Sequence, residues 1–142
     1  MVEIRHANIH DLDRLDELDK HITWDNMRKC IIDGRVSVVS IEKMIIGWLR
    51  YGLFYDMHPF LNMIYFLERY RGMGLGTKLM DEWEIEMHKL GYNIIFTSTQ
   101  SDETAQHFYR KRGFTDLGEY ALPEQEASEL LLMKKLGDRN EK

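Results

Sequence analysis

One cysteine, Cys30, and two prolines, Pro59 and Pro123, occur among the 142 residues. A lone cysteine excludes a disulfide within the chain, so the fold has to rest on a packed core. A chain of this length can bury roughly 70% of its extended surface. Membrane-length apolar runs are missing too, since no stretch approaches the ~18 residues of a span. Met1 to Arg5 reads straight into an alternating strand pattern and not into a signal peptide. Membrane association is therefore not expected, and a cytoplasmic protein is. An excess of cations is also absent. The 19 Lys and Arg against 24 Asp and Glu leave a net charge of −5, the wrong sign for holding a phosphate backbone, which excludes a general nucleic-acid binder. With a single cysteine there can be no C-x-x-C, and the six histidines are scattered, so no metal site is expected.

What the chain does contain is a regular alternation of strand and helix patterns. Val2, Ile4 and His6 alternate with Glu3 and Arg5 as a short first strand. Ile9, Leu12, Leu15 and Leu18 recur at three-residue steps and predict a helix from Asn8 to about Lys20, with Asn8 or His10-Asp11 as its polar start. A second helix is expected over Trp24 to Asp33, turning Met27, Cys30 and Ile31 inward and stopped by Gly34. Arg35 to Ile41 and Ile45 to Tyr55 form a hairpin about Glu42-Lys43, rich in β-branched and aromatic residues. Asp56 to Phe60 reads as a loop, and Asn62 to Leu67 as the next strand.

A helix follows from about Gly74 to Leu90, with Leu79, Met80, Trp83, Met87 and Leu90 as its core stripe and Glu84 among the residues away from it. Asn93 to Ser98 is a buried strand. Ser101-Asp102-Glu103 leads into a helix that Gly113 ends. Phe114 to Leu117 and Glu129 to Leu136 close the sheet, joined by a long loop containing Pro123. The order β-α-α-β-β-β-α-β-α-β-β predicts an α/β (α+β) fold: one domain over residues 1–136, with a mixed twisted sheet flanked by helices and a charged tail over 137–142.

Between the strand ending at Leu67 and its following helix stands Arg71-Gly72-Met73-Gly74-Leu75-Gly76. Glycines without a Cβ permit unusual dihedrals and close approach to the backbone, and a helix N-terminus adds unpaired N–H donors and the positive end of a dipole. Such a place binds anions. Two nucleotide loops fail on the letters. The third glycine of G-x-G-x-x-G would fall on Thr77 or Leu79, and a P-loop would need Gly before Lys78 and Ser or Thr after it, where Thr77 and Leu79 stand.

The remaining pattern, R-x-x-G-x-G at Arg71, Gly74 and Gly76, resembles the acyl-CoA signature of the GNAT superfamily of N-acyltransferases. Asp102-x-x-Ala105-x-x-x-Tyr109 with Arg112-Gly113-Phe114 resembles that family's second motif, and the predicted element order resembles its fold from Val2 to Leu136. The whole is similar to uncharacterised bacterial members.

The resemblance implies acetyl-CoA as acyl donor and a primary amine, on a small molecule or a peptide, as acceptor. Its pyrophosphate would lie on the backbone of Arg71, Gly72, Met73, Gly74, Leu75 and Gly76, with Thr77 adding a hydroxyl. The pantetheine arm would pair with strand edges at Tyr65, Phe66 and Leu67 and near Ser98. Tyr109 would serve the departing thiolate, and Glu68, after the strand, would be the base, directly or through water. Thr97 stands where some relatives place a glutamate base. Asp102 replaces the family's usual Asn and reads as a helix N-terminal acid, while Arg110-Lys111-Arg112 can reach a phosphate or form a solvated helix end. Acceptor recognition would fall to His21–Asn26, Tyr55–Phe60 and Gly118–Ser128, and a homodimer is compatible with the resemblance. A non-catalytic acyl-CoA-binding module and a plain interaction domain are the competing readings.

Overall fold

The computed structural model describes residues 1–137, and of the expected tail only Gly137 lies among them. Seven strands and four helices follow the predicted order. They are β1 Val2–His6, α1 Leu12–Leu18, α2 Trp24–Ile32, β2 Val36–Ile41, β3 Met44–Phe54, β4 His58–Phe66, α3 Leu75–Lys89, β5 Ile94–Gln100, α4 Ala105–Lys111, β6 Thr115–Tyr120 and β7 Glu129–Lys135. The strands hydrogen-bond in the order β1-β2-β3-β4-β5-β7-β6. β4 and β5 run parallel, whereas β1–β2, β2–β3, β5–β7 and β6–β7 are antiparallel. Contacts divide the chain into two compact units.

The first unit comprises Met1–Gly52 and Met63–Glu82. Its first helical segment is shorter than the periodicity suggests, because Ile9–Asp11 is a one-turn 3₁₀ helix and the α-helix begins at Leu12. Asn8 caps that turn reciprocally: its side chain accepts from the His10 amide at 2.9 Å, and Asp11 accepts from the Asn8 amide at 2.8 Å. Leu12 and Leu15 then bury against Met27 and Ile31 of α2 and Val36, Val38, Ile45 and Trp48 of the hairpin. Cys30 is only half-buried beside this cluster. Glu42 and Lys43 both take positive φ, 51° and 66°, as a two-residue hairpin turn requires even without glycine.

Asp19 and Arg50 form an ion pair that the sequence did not announce. Arg50 Nε and Trp48 Nε1 donate to Asp19 Oδ2 at 2.7 and 3.0 Å, and Asp19 Oδ1 accepts from the His21 amide at 3.0 Å. Asp19 is 2% exposed and Arg50 7%. Burial alone would raise the Asp19 carboxyl, but the Arg50, His21 and Trp48 donors outweigh it and hold it below the ordinary carboxylate value. The start of the α1–α2 junction is thereby pinned to β3.

The second unit comprises Leu53–Asn62 and the described residues from Trp83 on. β4 begins earlier than predicted, at His58, because Pro59 falls near the strand's start, where a missing N–H is tolerated. The turn before it holds Tyr55 and Asp56 at φ 55° and 59°. β5 registers along its whole length with β7, from Ile94 opposite Lys135 to Gln100 opposite Glu129. β6 is outermost, exposed along all six residues and bulged between Asp116 and Gly118.

Two readings of α3 are corrected. Leu90 is 59% exposed and outside the core, whereas Glu84 is 8% exposed and inside it. Glu84 accepts from Arg112 Nε and Nη2 at 3.0 and 2.8 Å on one oxygen and from Lys134 Nζ at 2.6 Å on the other. A carboxylate can enter an apolar stripe when two cations meet it there.

Removing one member of a buried pair strands the other, so Asp19→Ala should cost about 3–5 kcal/mol in urea unfolding at neutral pH. The folded carboxyl lies below its unfolded value. Its contribution is therefore present above pH 3.8 and lost as pH falls through the folded value, so the gap between wild type and variant should close on acidification.

Candidate active site

The glycine stretch is built on the end of β4. Phe66, the last strand residue, is buried with its ring against Gly47 of β3, so close that a Cβ on Gly47 would fall 2.4 Å from the ring. The Leu67 amide donates to the Ile46 carbonyl at 2.9 Å. A one-turn 3₁₀ helix over Glu68–Tyr70 follows, and then the chain turns through Gly72 and Gly74 at φ 76° and 81°.

The Arg71 side chain ties the loop down. Nε donates to the Phe66 carbonyl at 2.8 Å, and the guanidinium sits 4.8 Å from the centre of the Tyr65 ring, itself 5.2 Å from Trp48. The cation is thereby turned back onto the strand. The Gly74 carbonyl accepts from Lys78 N at 3.1 Å, the first helical bond of α3. The amides of Leu75, Gly76 and Thr77 precede it in the helix, and such first-turn groups have no intrahelical acceptor.

The three glycines have different reasons. Gly72 and Gly74 need their positive φ. Gly76 does not need the backbone freedom, and a Cβ there would meet only Phe66 at an ordinary 3.8 Å. None of the described residues demands glycine at 76, which leaves its backbone open to close approach by a bound group. Of the other predicted residues in this stretch, Tyr65, Glu68, Met73 and Thr77 are exposed and Leu67 and Leu75 half-buried.

The second unit holds the remaining predicted residues. β4 and β5 register at Phe60–Phe96 and Leu61–Thr97, and Asn62 and Ser98 lie past that register. Thr97, 1% exposed, donates from Oγ1 to the Leu61 carbonyl at 3.0 Å. Tyr109 of α4 is 6% exposed and edge-on to Phe108 and Phe114. Burial pushes its phenol above the ordinary value of 10.0; the Thr97 hydroxyl works against that shift and the Glu103 charge adds to it.

Ser98 is half-buried, opposite Leu131. Asp102 is exposed and is corrected: α4 starts only at Ala105, so Asp102 lies outside its first turn. Glu103 and Gln106 organise that start instead. Glu103 accepts from the Gln100 amide at 3.1 Å, and Gln106 donates to the Ser101 and Glu103 carbonyls, each at 2.9 Å.

Two of the three cations after Tyr109 are committed elsewhere. Arg110 is paired with Asp116 at 2.9 Å and Arg112 with Glu84. Tyr55–Phe60 spans the turn before β4 and that strand's first residues, with Phe60 in register with Phe96 of β5. The β6–β7 link does lie at the finishing end of β5, held by Ser101 N donating to the Ser128 carbonyl at 2.8 Å and Gln100 to Gln125 at 3.3 Å. Among the described residues no group of three His, Cys, Asp or Glu side chains is placed to hold a metal ion. His6 and His10 stand four apart, but one closes β1 and the other lies in the 3₁₀ turn.

Comparison with known proteins bears on the family and the fold. The family model described as acetyltransferase (GNAT) family matches residues 5–114. No curated protein matches. Among solved structures, a GNAT-family acetyltransferase from Bacillus cereus is 25% identical, with 95% of this chain and 97% of that one covered and a TM-score of 0.74. The ribosomal-protein-S18-alanine N-acetyltransferase from Escherichia coli superposes at TM-score 0.76 and 15% identity, over 100% and 99% of the chains. The yncA protein of Salmonella typhimurium, solved with its cofactor acetyl-CoA, does so at 0.78 and 17%, over 99% and 96%.

The glycines can be separated by stability alone. Gly74→Ala forces a side chain into the left-handed region and should cost about 1–2 kcal/mol, whereas Gly76→Ala should leave stability unchanged or raise it by up to about 1 kcal/mol. Chemical denaturation of the two variants beside wild type makes the comparison.

Proposed function

The chain belongs to the GNAT acetyltransferase family, and from that membership we propose that it is an acetyl-CoA-dependent N-acetyltransferase acting on a primary amine by direct attack in a ternary complex. The observation that carries the reading is the backbone cradle from Arg71 to Thr77, whose Gly76 the protein's own packing does not require. The cradle suits the CoA pyrophosphate, with Thr77 adding its hydroxyl. Tyr65, Phe66 and Leu67 on β4 and Ser98 on β5 offer strand edges to the pantetheine arm, as an extended ligand added to a sheet. Asp102, exposed and outside the helix, is free to accept from the arm's amide.

In the reaction the amine nitrogen attacks the thioester carbonyl carbon, the C–S bond breaks, and the electron pair leaves on sulfur. Tyr109 donates to that sulfur. A free phenol near ~10 is already a weaker acid than a thiol near ~8.5, by about 2 kcal/mol for full transfer, and burial moves Tyr109 further in that direction. Tyr109 therefore acts first as a hydrogen-bond donor to the developing thiolate. The amine is the opposite case, since at pH 7 only about one molecule in a thousand of an amine near ~10 is neutral. Glu68, exposed at the end of the strand, takes the proton through water.

The β6–β7 link and the α1–α2 junction are the surfaces we assign to acceptor choice, with Gln100, Gln125 and Glu119 supplying polar groups. A peptide α-amine is one acceptor class, as the S18-alanine enzyme exemplifies; a small-molecule amine is the other. One observation favours the non-catalytic acyl-CoA-binding module as second reading: Tyr109 is deeply buried and harder to ionise than a free tyrosine.

Following free thiol during incubation with acetyl-CoA and a panel of polyamines, amino acids and N-terminal peptides tests the first reading. Turnover with one class supports it, and silence across the panel with CoA still binding in calorimetry supports the second. Tyr109→Phe should lower kcat by about 100-fold with little change in KM for acetyl-CoA. Gly76→Ala should weaken CoA binding in calorimetry while the melting temperature stays or rises, a combination that a purely structural glycine would not give.

A further inference from the structure

We propose that Glu84 is a positioning residue for Tyr109, acting through Arg112: the Glu84–Arg112–Lys134 cluster holds the end of α4 where the phenol meets the leaving sulfur. The inference rests on the acetyltransferase reading above and deepens it by naming what sets the place of the donor to sulfur. α4 has seven residues, Ala105–Lys111, and Thr104 before it makes no side-chain cap hydrogen bond. So short a helix is marginal by itself, and the place of Tyr109 in its last turn has to come from the helix end. There the backbone is tied round the tyrosine. The Tyr109 carbonyl accepts from the Arg112 amide at 3.0 Å and the Phe114 amide at 3.1 Å, and Gly113 between them takes φ 99°. The Arg112 side chain reaches from this turn to α3, where Nε and Nη2 donate to Glu84 Oε2 at 3.0 and 2.8 Å. Lys134 of β7 holds the other Glu84 oxygen at 2.6 Å. β7 in turn is paired with β5, Lys134 opposite Ile95 and Leu131 opposite Ser98. The end of α4 is thereby referred to the strand that offers Ser98 to the pantetheine arm.

The choice of charged groups here follows from what they do better than apolar ones. The Arg112 and Glu84 side chains are 12% and 10% exposed, so a displaced Arg112 would leave two ions without water or partner, at a large cost. The net gain in stability over apolar packing is small. What the cluster supplies beyond apolar contact is therefore position, and group transfer is sensitive to position: a misplacement of about 1 Å can cost about 100-fold in rate. Arg112 bears on Tyr109 by a second route as well. Its guanidinium carbon lies 5.9 Å from the centre of the Phe108 ring, and Phe108 and Phe114 each meet the Tyr109 ring edge-on at 5.5 Å. The cluster exchanges no proton in the reaction. It places the Tyr109 hydroxyl and leaves bond making to other groups.

Two variants separate position from stability. Glu84→Gln removes the charge at nearly constant shape. The triple variant Glu84→Met, Arg112→Met, Lys134→Met replaces the cluster by apolar side chains, a change that is often neutral or stabilising for buried ion clusters. At temperatures where each protein is fully folded, both should lower kcat about tenfold with KM for acetyl-CoA unchanged. The triple variant should do so with a melting temperature at or above that of wild type. With 3-fluorotyrosine incorporated and no acceptor present, the Tyr109 fluorine resonance, assigned by its loss in Tyr109→Phe, should be a single line in wild type and broadened or divided in both variants. A cluster that serves stability alone would give a folded triple variant with wild-type kcat and an unchanged line. Either of those results overturns the proposal. Should the triple variant not fold, the same two readings on Glu84→Gln decide: wild-type kcat or an unchanged line refutes, and loss of both supports. If wild type acetylates no amine, the acetyltransferase reading falls by itself, and the fluorine line still decides whether Glu84 governs the place of Tyr109.

Discussion

The contact between the Phe66 ring and the bare backbone of Gly47 is the constraint on which the glycine loop depends. A side chain at 47 would fall within 2.4 Å of the ring and force it out. With the ring seated, the end of β4 is fixed, its carbonyl faces Arg71, and the guanidinium closes the loop back onto the strand at 2.8 Å. The positive φ angles of Gly72 and Gly74 then carry the chain into α3. A loop held in this way needs no lysine or arginine to attract phosphate, because oriented backbone amides and the helix dipole provide the positive potential at fixed positions. Their order is set before any ligand arrives, which lowers the entropic cost of binding.

Each compact unit also carries a charged cluster in its interior, and the two solve the same problem differently. Asp19 is surrounded by an arginine, an indole N–H and a backbone amide, whereas Glu84 shares its two oxygens between Arg112 and Lys134. Buried pairs of this kind are weak contributors to net stability relative to apolar replacements, but they penalise wrong arrangements heavily. Asp19 fixes where the chain leaves α1. Arg112 fixes the end of α4 just past Tyr109, and with Lys134 it joins α3, α4 and β7.

The order of elements was legible because apolar periodicity changed from 3.6 to 2 at clear punctuation, with Gly34, Gly91 and Gly113 at helix ends. The glycine loop was legible because backbone chemistry leaves its trace as missing side chains. Glu84 was not, since a carboxylate in helical phase with Trp83 and Met87 reads as polar until its cations, 28 and 50 residues further on, are known. Arg50 was hidden the same way within a strand whose neighbours are apolar. The start of β4 was masked by Pro59, and the start of α4 by a polar turn whose Glu103 and Gln106 mimic a helix cap one turn early. Thr97 left a signal, a hydroxyl directly after the apolar run Ile94 to Phe96, but its partner, the Leu61 carbonyl, lies 36 residues earlier in the chain.

The outermost strand has a consequence for how the protein behaves in crowded solution. An edge strand with free N–H and C=O groups is a template for another chain, and a flat one invites runaway sheet growth. β6 is not flat: its ladder is bulged between Asp116 and Gly118, and Arg110 is paired with Asp116 beside that break. A second copy approaching this edge would meet a broken ladder instead of a straight row of donors and acceptors, so this margin of the sheet is a poor template for growth.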